Sequence, residues 1–426
     1  MTAHGKRTMG LMPLVTVNLG SAAVQCRAVP VDLGQGNPKG FFIAYSGTFD
    51  VDPWVEMFYF PADTLTLAVF TAAGEMLWRR DLGPAVVPGM WFCPICACDL
   101  DGDGVDELWF VNNVNTLHPL GRSGYRLERV DALTGKTTGQ WKWPLWPEGT
   151  LSHTFRNFIL AGNVRGNPVL VTAQGTYRDM HLQGWKADMT PRWQYDIASD
   201  APGARGAHRN PVVDINDDGV DELLWGERCI ELDAGRELFC ADRETYRGHS
   251  DVIEPLRDPS TGKWFIFTAR EGDPSVSPRV VLFDSTGRRV WGDVDSGHMD
   301  IGWVARLGEG GEFVASAIRI RYKTCGPDGR HHHDVKEFVY EAMTGRRLSL
   351  PYPVYRTIPV DLNGDNRDEL VYGIPGGDGT VIDCFGLPLG SVEATVAAHG
   401  SFCDLPGEQA LTYTEDGTLR VWTAVS

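Results

Sequence analysis

Cys98-Asp99-Leu100-Asp101-Gly102-Asp103-Gly104-Val105-Asp106-Glu107-Leu108-Trp109-Phe110, followed by Val130-Asp131-Ala132-Leu133-Thr134-Gly135-Lys136, makes one cycle of a repeating unit. A short apolar strand enters an acidic glycine turn and a second apolar strand leaves it. After a variable loop, two more strands flank a small turn. With the strands labelled A to D, the acidic A–B turn recurs at Asp214–Glu222 and Asp361–Glu369. Looser versions lie at 32–36, 163–166, 258–262, 308–311 and 404–407. The C–D turns lie at 72–74, 133–135, 187–189, 233–235, 285–287, 343–345 and 384–386, and glycine in most of them supplies the positive φ of a tight hairpin. Eight A–B turns in 426 residues leave about 53 residues per unit, a length that suits a long-looped propeller blade. The expected fold is all-β: a β-propeller of four-stranded blades forming a single domain over 1–426. Eight blades are expected from the A–B turns, with seven, the count of clear C–D turns, as the alternative. The last unit stops after Leu419–Ala424, so Leu14–Leu19 is expected to supply its outer strand and close the ring.

Composition narrows the partners. The chain is 42% hydrophobic and 22% charged, with net charge -17 and pI near 5.1, which argues against nucleic acid or anionic lipid as a partner. No run of about 18 apolar residues exists to span a membrane. Nine cysteines show no paired framework, and Cys93, Cys96 and Cys98 read as small buried apolar residues rather than as a metal or redox cluster. At the N-terminus, Lys6 and Arg7 precede an apolar stretch interrupted by Pro13, Asn18 and Gly20. Read as a strand it goes with a cytoplasmic chain, and read as a signal peptide with a secreted one. A monomer is expected.

The histidines carry the functional reading. His153, His208, His249, His298 and His399 fall just before an A strand, and His118 and His181 fall in the loop after a B strand. D–A and B–C loops emerge on one face of a propeller, so these imidazoles are expected to meet at one mouth of its funnel. His208, His249 and His298, with Asp251, Glu271 and Asp300, suit Zn²⁺ or another divalent ion. The alternative is a hydrogen-bonded polar plug. A second group comprises His118, His153, Tyr177, Arg178, His181 and Arg205. Tyrosine and histidine transfer protons and arginine neutralises a carboxylate, which together suit β-elimination of a uronate. In that scheme Tyr177 is the base, His118 or His153 the acid or helper alongside His181, and Arg205 the neutraliser. Arg178, Arg209, Arg247 and Tyr246 are expected to bind substrate. His331-His332-His333 reads as the solvated tip of a long B–C loop. On the opposite face, three turns are spaced to wrap structural Ca²⁺: Asp99, Asp101, Asp103 and Glu107; Asp214, Asn216, Asp218 and Glu222; Asp361, Asn363, Asp365 and Glu369. Such turns also form by bonding their own backbone, without an ion. No nucleophile elbow, P-loop or dinucleotide fingerprint is present.

The run Ala207–Leu223, continued by Gly248-His249-Ser250-Asp251, resembles the rhamnogalacturonan lyases of polysaccharide lyase family eleven, which are β-propellers. That resemblance implies that these histidines and acids belong to a metal-containing active site. Lyases of that family are usually longer, and the compact size with a His/His/Tyr/Arg set is similar to ulvan lyases and rhamnose–glucuronate lyases. In those, tyrosine and histidine are acid/base groups and arginine neutralises the uronate; His118, His153, Tyr177 and Arg205 match them by order and by blade. The expectation is a carbon–oxygen lyase that cleaves an acidic polysaccharide next to a uronic acid in a rhamnose-containing glycan. Two alternatives stand beside it: a propeller glycoside hydrolase acting on terminal rhamnose, and a non-catalytic Ca²⁺-stabilised binding propeller.

Overall fold

A computed structural model describes residues 10–425 apart from 35, 38, 116–117, 145–148 and 309. Lys6 and Arg7, and parts of the turns at 32–36 and 308–311, therefore lie outside the described residues. The chain builds eight antiparallel sheets in sequence, each laid down strand by strand from A outwards. The A strands are Gln25–Val31, Ile95–Cys98, Asn157–Val164, Val212–Val213, Ser250–Arg257, Met299–Arg306, Ile358–Val360 and Thr395–Gly400. Neighbouring A strands touch around the axis, so the sheets are the blades of an eight-bladed propeller. The seven-blade count from C–D turns fails because the last blade takes its fourth strand from the other end of the chain. Gly10–Asn18 pairs with Thr418–Val425, with a bulge at Leu14 beside Pro13. The apolar N-terminal stretch is thus a strand, as the first of its two readings had it.

Packing between blades explains much of the repeat. Trp78 at the outer edge of blade 1 lies on the C–D turn of blade 2, its indole N–H donating to Ala132 O at 2.8 Å. Trp193 of blade 3 does the same to Leu232 O of blade 4, at 2.7 Å. The turn glycines Gly135 and Gly235 have φ of +66° and +67°, and a Cβ at either would meet the tryptophan ring at 2.5 Å. Turn geometry and inter-blade packing both demand glycine there. Part of the tryptophan content thus serves the blade interfaces. The aspartate that closes each of the three acidic A–B turns clamps the preceding blade: Asp106 Oδ2 accepts from Asp32 N at 2.7 Å, Asp221 Oδ2 from Asn163 N and Asp368 Oδ2 from Arg306 N at 2.6 Å.

Blade 6 departs from the pattern. Its fourth strand shrinks to one bridge, Tyr340 to Arg347, because Pro351 and Pro353 follow and cannot donate to a ladder. Its B and C strands, Phe313–Gly326 and Gly329–Glu341, run on as a hairpin far beyond the blade. The triple histidine lies in the second of these strands and not in a solvated loop. Cross-strand partners share a face. Lys323, His332, Cys325 and Arg330 therefore point one way, and Tyr322, His333, Thr324 and His331 the other. At the tip, Arg330 pairs with Asp50 and Asp52 of blade 1, at 3.1 and 3.2 Å. The hairpin thus spans from blade 6 to blade 1. Among the described residues, no helix is long and apolar enough to cross a membrane.

Candidate functional site

His249 and His298 immediately precede the A strands of blades 5 and 6, and His208 sits four residues before that of blade 4. The bridge from Ala207 to Ser250 ties the His208 and His249 loops together. Three of the seven histidines therefore meet as anticipated, joined by Glu271 at the end of strand B in blade 5. Glu271 Oε2 lies 2.5 Å from His249 Nε2 and 3.7 Å from His208 Nε2, and its Oε1 lies 3.3 Å from His298 Nδ1. His298 Nδ1 is also 3.2 Å from Asp300 Oδ1. His208 Nδ1 rests against Asp251 Oδ1, yet that buried oxygen receives no well-formed hydrogen bond. The potential ligand atoms of His208, His249, Asp251 and Glu271 all lie within 4.8 Å of one another, and so do those of Glu271, His298 and Asp300.

Lys323, on the inward face of the hairpin, enters this cluster: its ammonium is 2.5 Å from Asp300 Oδ1 and 3.2 Å from Glu271 Oε1. Burial holds the His208 imidazole well below the usual histidine range, so it is neutral and able to ligate. Burial alone would raise Glu271, but its histidine partners hold it well below the carboxylate range. Burial and the nearby Glu271 push Asp251 well above it. Burial also works against a charged His298, but its bonds to Asp300 and Glu271 raise it to about 9. Three buried carboxylates thus share one ammonium and the His298 imidazolium, with Asp251 left without a cation of its own, and a divalent ion suits that vacancy in charge.

Tyr177 stands at the edge of the cluster. Its hydroxyl lies 2.9 Å from His208 Nε2, and its ring meets His249 edge-on at 4.3 Å between centroids. Burial pushes the phenol up from its ordinary value, opposed chiefly by Arg156, whose guanidinium carbon lies 5.0 Å from the ring centroid. Arg156 is buried, bonded to Asp52 at 3.1 Å and stacked on Trp91 at 4.6 Å. Asp52 therefore holds both Arg156 and the hairpin tip. Sequence reading missed Arg156, although it immediately precedes an A strand, as His249 and His298 do. Trp54, 41% exposed, lies edge-on to Tyr177 at 5.9 Å and presents an aromatic surface beside the site. The hairpin tip also borders a cleft of about 600 Å³, lined among others by Phe49, Arg330, Arg356 and Tyr413.

Several sequence expectations need correction. Arg205 is 4% exposed, and its guanidinium donates to the carbonyls of Ala198 (3.0 Å), Arg178 (3.4 Å) and Ala201, so it is not turned to a substrate carboxylate. Tyr246 is fully buried with its hydroxyl on His249 O and the Arg270 guanidinium 4.1 Å from its ring; it supports the His249 loop and presents no surface to a substrate. His181 is a strand C residue paired with Asp196 at 2.9 Å, and His399 lies inside strand A of blade 8, paired with Glu408 at 3.2 Å. Neither joins the cluster, since His181 is held in its ladder and His399 sits near the A–B end of its strand. His118 lies in its predicted loop but exposed, edge-on to Phe60. His153, buried in the short helix Leu151–Phe155, has Nε2 3.0 Å from Asp179 O and so props the loop carrying Tyr177. Arg178 and Arg247 are exposed on the loops around the site, while Arg209 pairs with Glu254 at 3.0 Å.

In the three acidic turns the first aspartate accepts main-chain N–H bonds, for example Asp99 from Gly102 at 2.7 Å and Gly104 at 2.9 Å. The turns differ at their third position. Asn216 and Asn363 donate to Glu222 and Glu369 at 3.3 and 3.1 Å, whereas Asp101 faces Glu107 as a second carboxylate. Burial and that neighbour raise Glu107 to about 7, and burial with the turn aspartates likewise raises Glu222 to about 7 and Glu369 to about 8. Asp99, Asp101 and Asp103 gather three carboxylates as a set able to hold a cation, and in the other two turns the third position is an asparagine, whose amide oxygen also suits Ca²⁺.

No family model matches the chain. The chain is 27% identical over 255 residues to the rhamnogalacturonan exolyase YesX of Bacillus subtilis, and 23% identical over 261 residues to the rhamnogalacturonan endolyase YesW of the same organism. Each match takes in 51% of this chain, and the chain spans 40% of the length of these curated relatives. The solved structure of YesW superposes with TM-score 0.71 and that of the Bacillus licheniformis rhamnogalacturonan lyase PL11 with 0.70, at 18% and 19% identity, over 98% of this chain and 76% of theirs. The chain is thus a homologue of rhamnogalacturonan lyases over half of its sequence and shares their propeller fold over nearly all of its length.

Proposed function

We propose that the chain is a polysaccharide lyase that cleaves rhamnogalacturonan, or a closely similar acidic rhamnose-containing glycan, next to its uronic acid by β-elimination. The observation that carries this reading is the contact of Tyr177 with His208 inside the histidine–carboxylate cluster; the relatives, a rhamnogalacturonan exolyase and an endolyase, supply the substrate class. His208, His249, Asp251 and Glu271 would hold a divalent cation, and when bound it would neutralise the uronate carboxylate as the C5 proton leaves. That role takes the place expected of Arg205. Tyr177, as phenolate, takes the proton from C5. The C–H electron pair becomes the C4–C5 double bond, the C4–O4 bond breaks with its pair, and O4 is protonated by a neighbouring acid or water. The phenolate is favoured by Arg156 at its ring face and by an N–H from His208 Nε2, which leaves Nδ1, beside Asp251, for the cation. Trp54 offers a ring face to a neighbouring sugar. A structural Ca²⁺ belongs in the turn of Asp99, Asp101 and Asp103.

Incubation with purified rhamnogalacturonan, followed in the ultraviolet, tests the reading: the unsaturated uronate product absorbs and the substrate does not. Cleavage without that absorbance would mean hydrolysis, and no cleavage of any uronate-containing glycan would leave a binding propeller.

A further inference from the structure

We infer that Lys323 is a built-in cation that fills one half of the histidine–carboxylate cluster and so limits it to a single divalent ion. The inference rests on the metal reading given above. The cluster contains two overlapping sets of ligand atoms, one from His208, His249, Asp251 and Glu271, the other from Glu271, His298 and Asp300. Glu271 divides its oxygens between them: Oε2 faces His249 and His208, Oε1 faces His298 and Lys323. Only the second set already contains a permanent cation. The Lys323 ammonium contacts both of its carboxylates, at 2.5 Å to Asp300 Oδ1 and 3.2 Å to Glu271 Oε1. The other Asp300 oxygen accepts the Ile320 N–H at 3.0 Å, which fixes Oδ1 toward the ammonium.

Charge balance points the same way. If all three are ionised around a divalent ion, Asp251, Glu271 and Asp300 carry three negative charges, which that ion and the Lys323 ammonium cancel before any charge on His298 is counted. A second divalent ion beside Lys323 would leave an uncompensated double positive charge in a buried site, which low-dielectric electrostatics opposes. The lysine is also delivered by an anchored element, because the hairpin that bears it is tied down at its far end by Arg330 on Asp50 and Asp52. Removing the charge while keeping the aliphatic stem, as in Lys323→Met, leaves a histidine and two carboxylates facing an unneutralised space. That space then takes a second ion.

The test is Mn²⁺ content per chain after equilibration with Mn²⁺ and desalting. The A–B turns are the same in every variant, so differences read the cluster. Lys323→Met is expected to hold one Mn²⁺ more than the parent, and Lys323→Arg the same number as the parent. Equal content in the folded Lys323→Met protein and the parent overturns the inference. The parent itself gives a second readout independent of how any variant folds: its Mn²⁺ electron paramagnetic resonance should show no spin-coupled pair, and a coupled pair would overturn the inference outright. If His208→Ala and His249→Ala remove no ion from the parent, the metal reading itself falls. An ion that those variants do remove, with no gain in Lys323→Met, sinks only the role given to Lys323.

Discussion

The Tyr177 hydroxyl lies 2.9 Å from His208 Nε2, while Nδ1 of the same imidazole rests against Asp251. Blade 3 supplies the tyrosine, a loop before blade 4 the histidine and blade 5 the aspartate, so the line of groups exists only once three blades close around the axis. Arg156, buried beneath the tyrosine ring, adds a fixed positive charge on its other side. Burial opposes ionisation of this phenol, and Arg156 works against that penalty.

Tyr177→Phe keeps the ring and its packing and removes only the oxygen. Turnover is expected to fall on the order of 10²–10⁴-fold, the contribution of a positioned acid/base group, with circular dichroism and melting temperature close to the parent. Near-normal turnover in a folded Tyr177→Phe protein would exclude Tyr177 as the base.

Arg205→Ala separates structure from chemistry in the opposite sense. Deleting the guanidinium strands the carbonyls of Ala198, Ala201 and Arg178 in a buried setting, a loss of about 2–3 kcal/mol in stability. The melting temperature should drop, and turnover per folded molecule at saturating substrate should hold. A stable Arg205→Ala protein with strongly reduced turnover would restore Arg205 to the mechanism.

What the sequence made legible follows from how locally each feature is determined. The acidic A–B turns and the C–D glycines are set by short-range backbone chemistry, so the unit, the blade count of eight and the ring closure by the N-terminal strand could all be read directly. His208, His249 and His298 were legible because a D–A loop ends where the A strand begins, next to the axis. The same rule misplaced His399: strand A of blade 8 starts earlier than its pattern implies, so the residue falls inside the strand. The hairpin of blade 6 was hidden for a different reason. Its inward face carries Lys323, His332 and Arg330 toward a polar funnel and its outward face meets water, so the apolar alternation that marks a strand vanishes. Arg156 and Asp52 act through each other and Arg330 across two or more blades, and Lys323 through a carboxylate of the neighbouring blade, which a single unit of the repeat cannot reveal.

The three acidic turns should differ in their response to Ca²⁺. In two of them an asparagine amide satisfies the glutamate, at 3.3 Å for Glu222 and 3.1 Å for Glu369; in the first, Asp101 and Glu107 face each other as like charges. A Ca²⁺ chelator should therefore lower the melting temperature of the parent. Asp101→Asn, which copies the other two turns, should gain about 1 kcal/mol in the chelator by replacing repulsion with a hydrogen bond and should lose most of the Ca²⁺ response. An undiminished response in Asp101→Asn would place the responsible ion elsewhere.

His332 supplies a pH dependence that can be assigned to one side chain. It sits half-buried on the inward face of the hairpin, its Nδ1 2.8 Å from the Tyr355 hydroxyl, and burial together with Lys323 and two nearby arginines lowers it from 6.5 to about 4. The unfolded chain therefore binds a proton here that the folded chain refuses between those two values. Stability is undiminished above about 6.5 and falls as the pH drops toward about 4, the sense for a base whose folded value is depressed. Because the ring is partly exposed, the loss is about 1 kcal/mol rather than the full linkage value. Denaturant unfolding of the parent and of His332→Asn across that window checks this. The variant's curve should be flatter by about that amount, and parallel curves would show that the imidazole stays neutral or charged alike in both states.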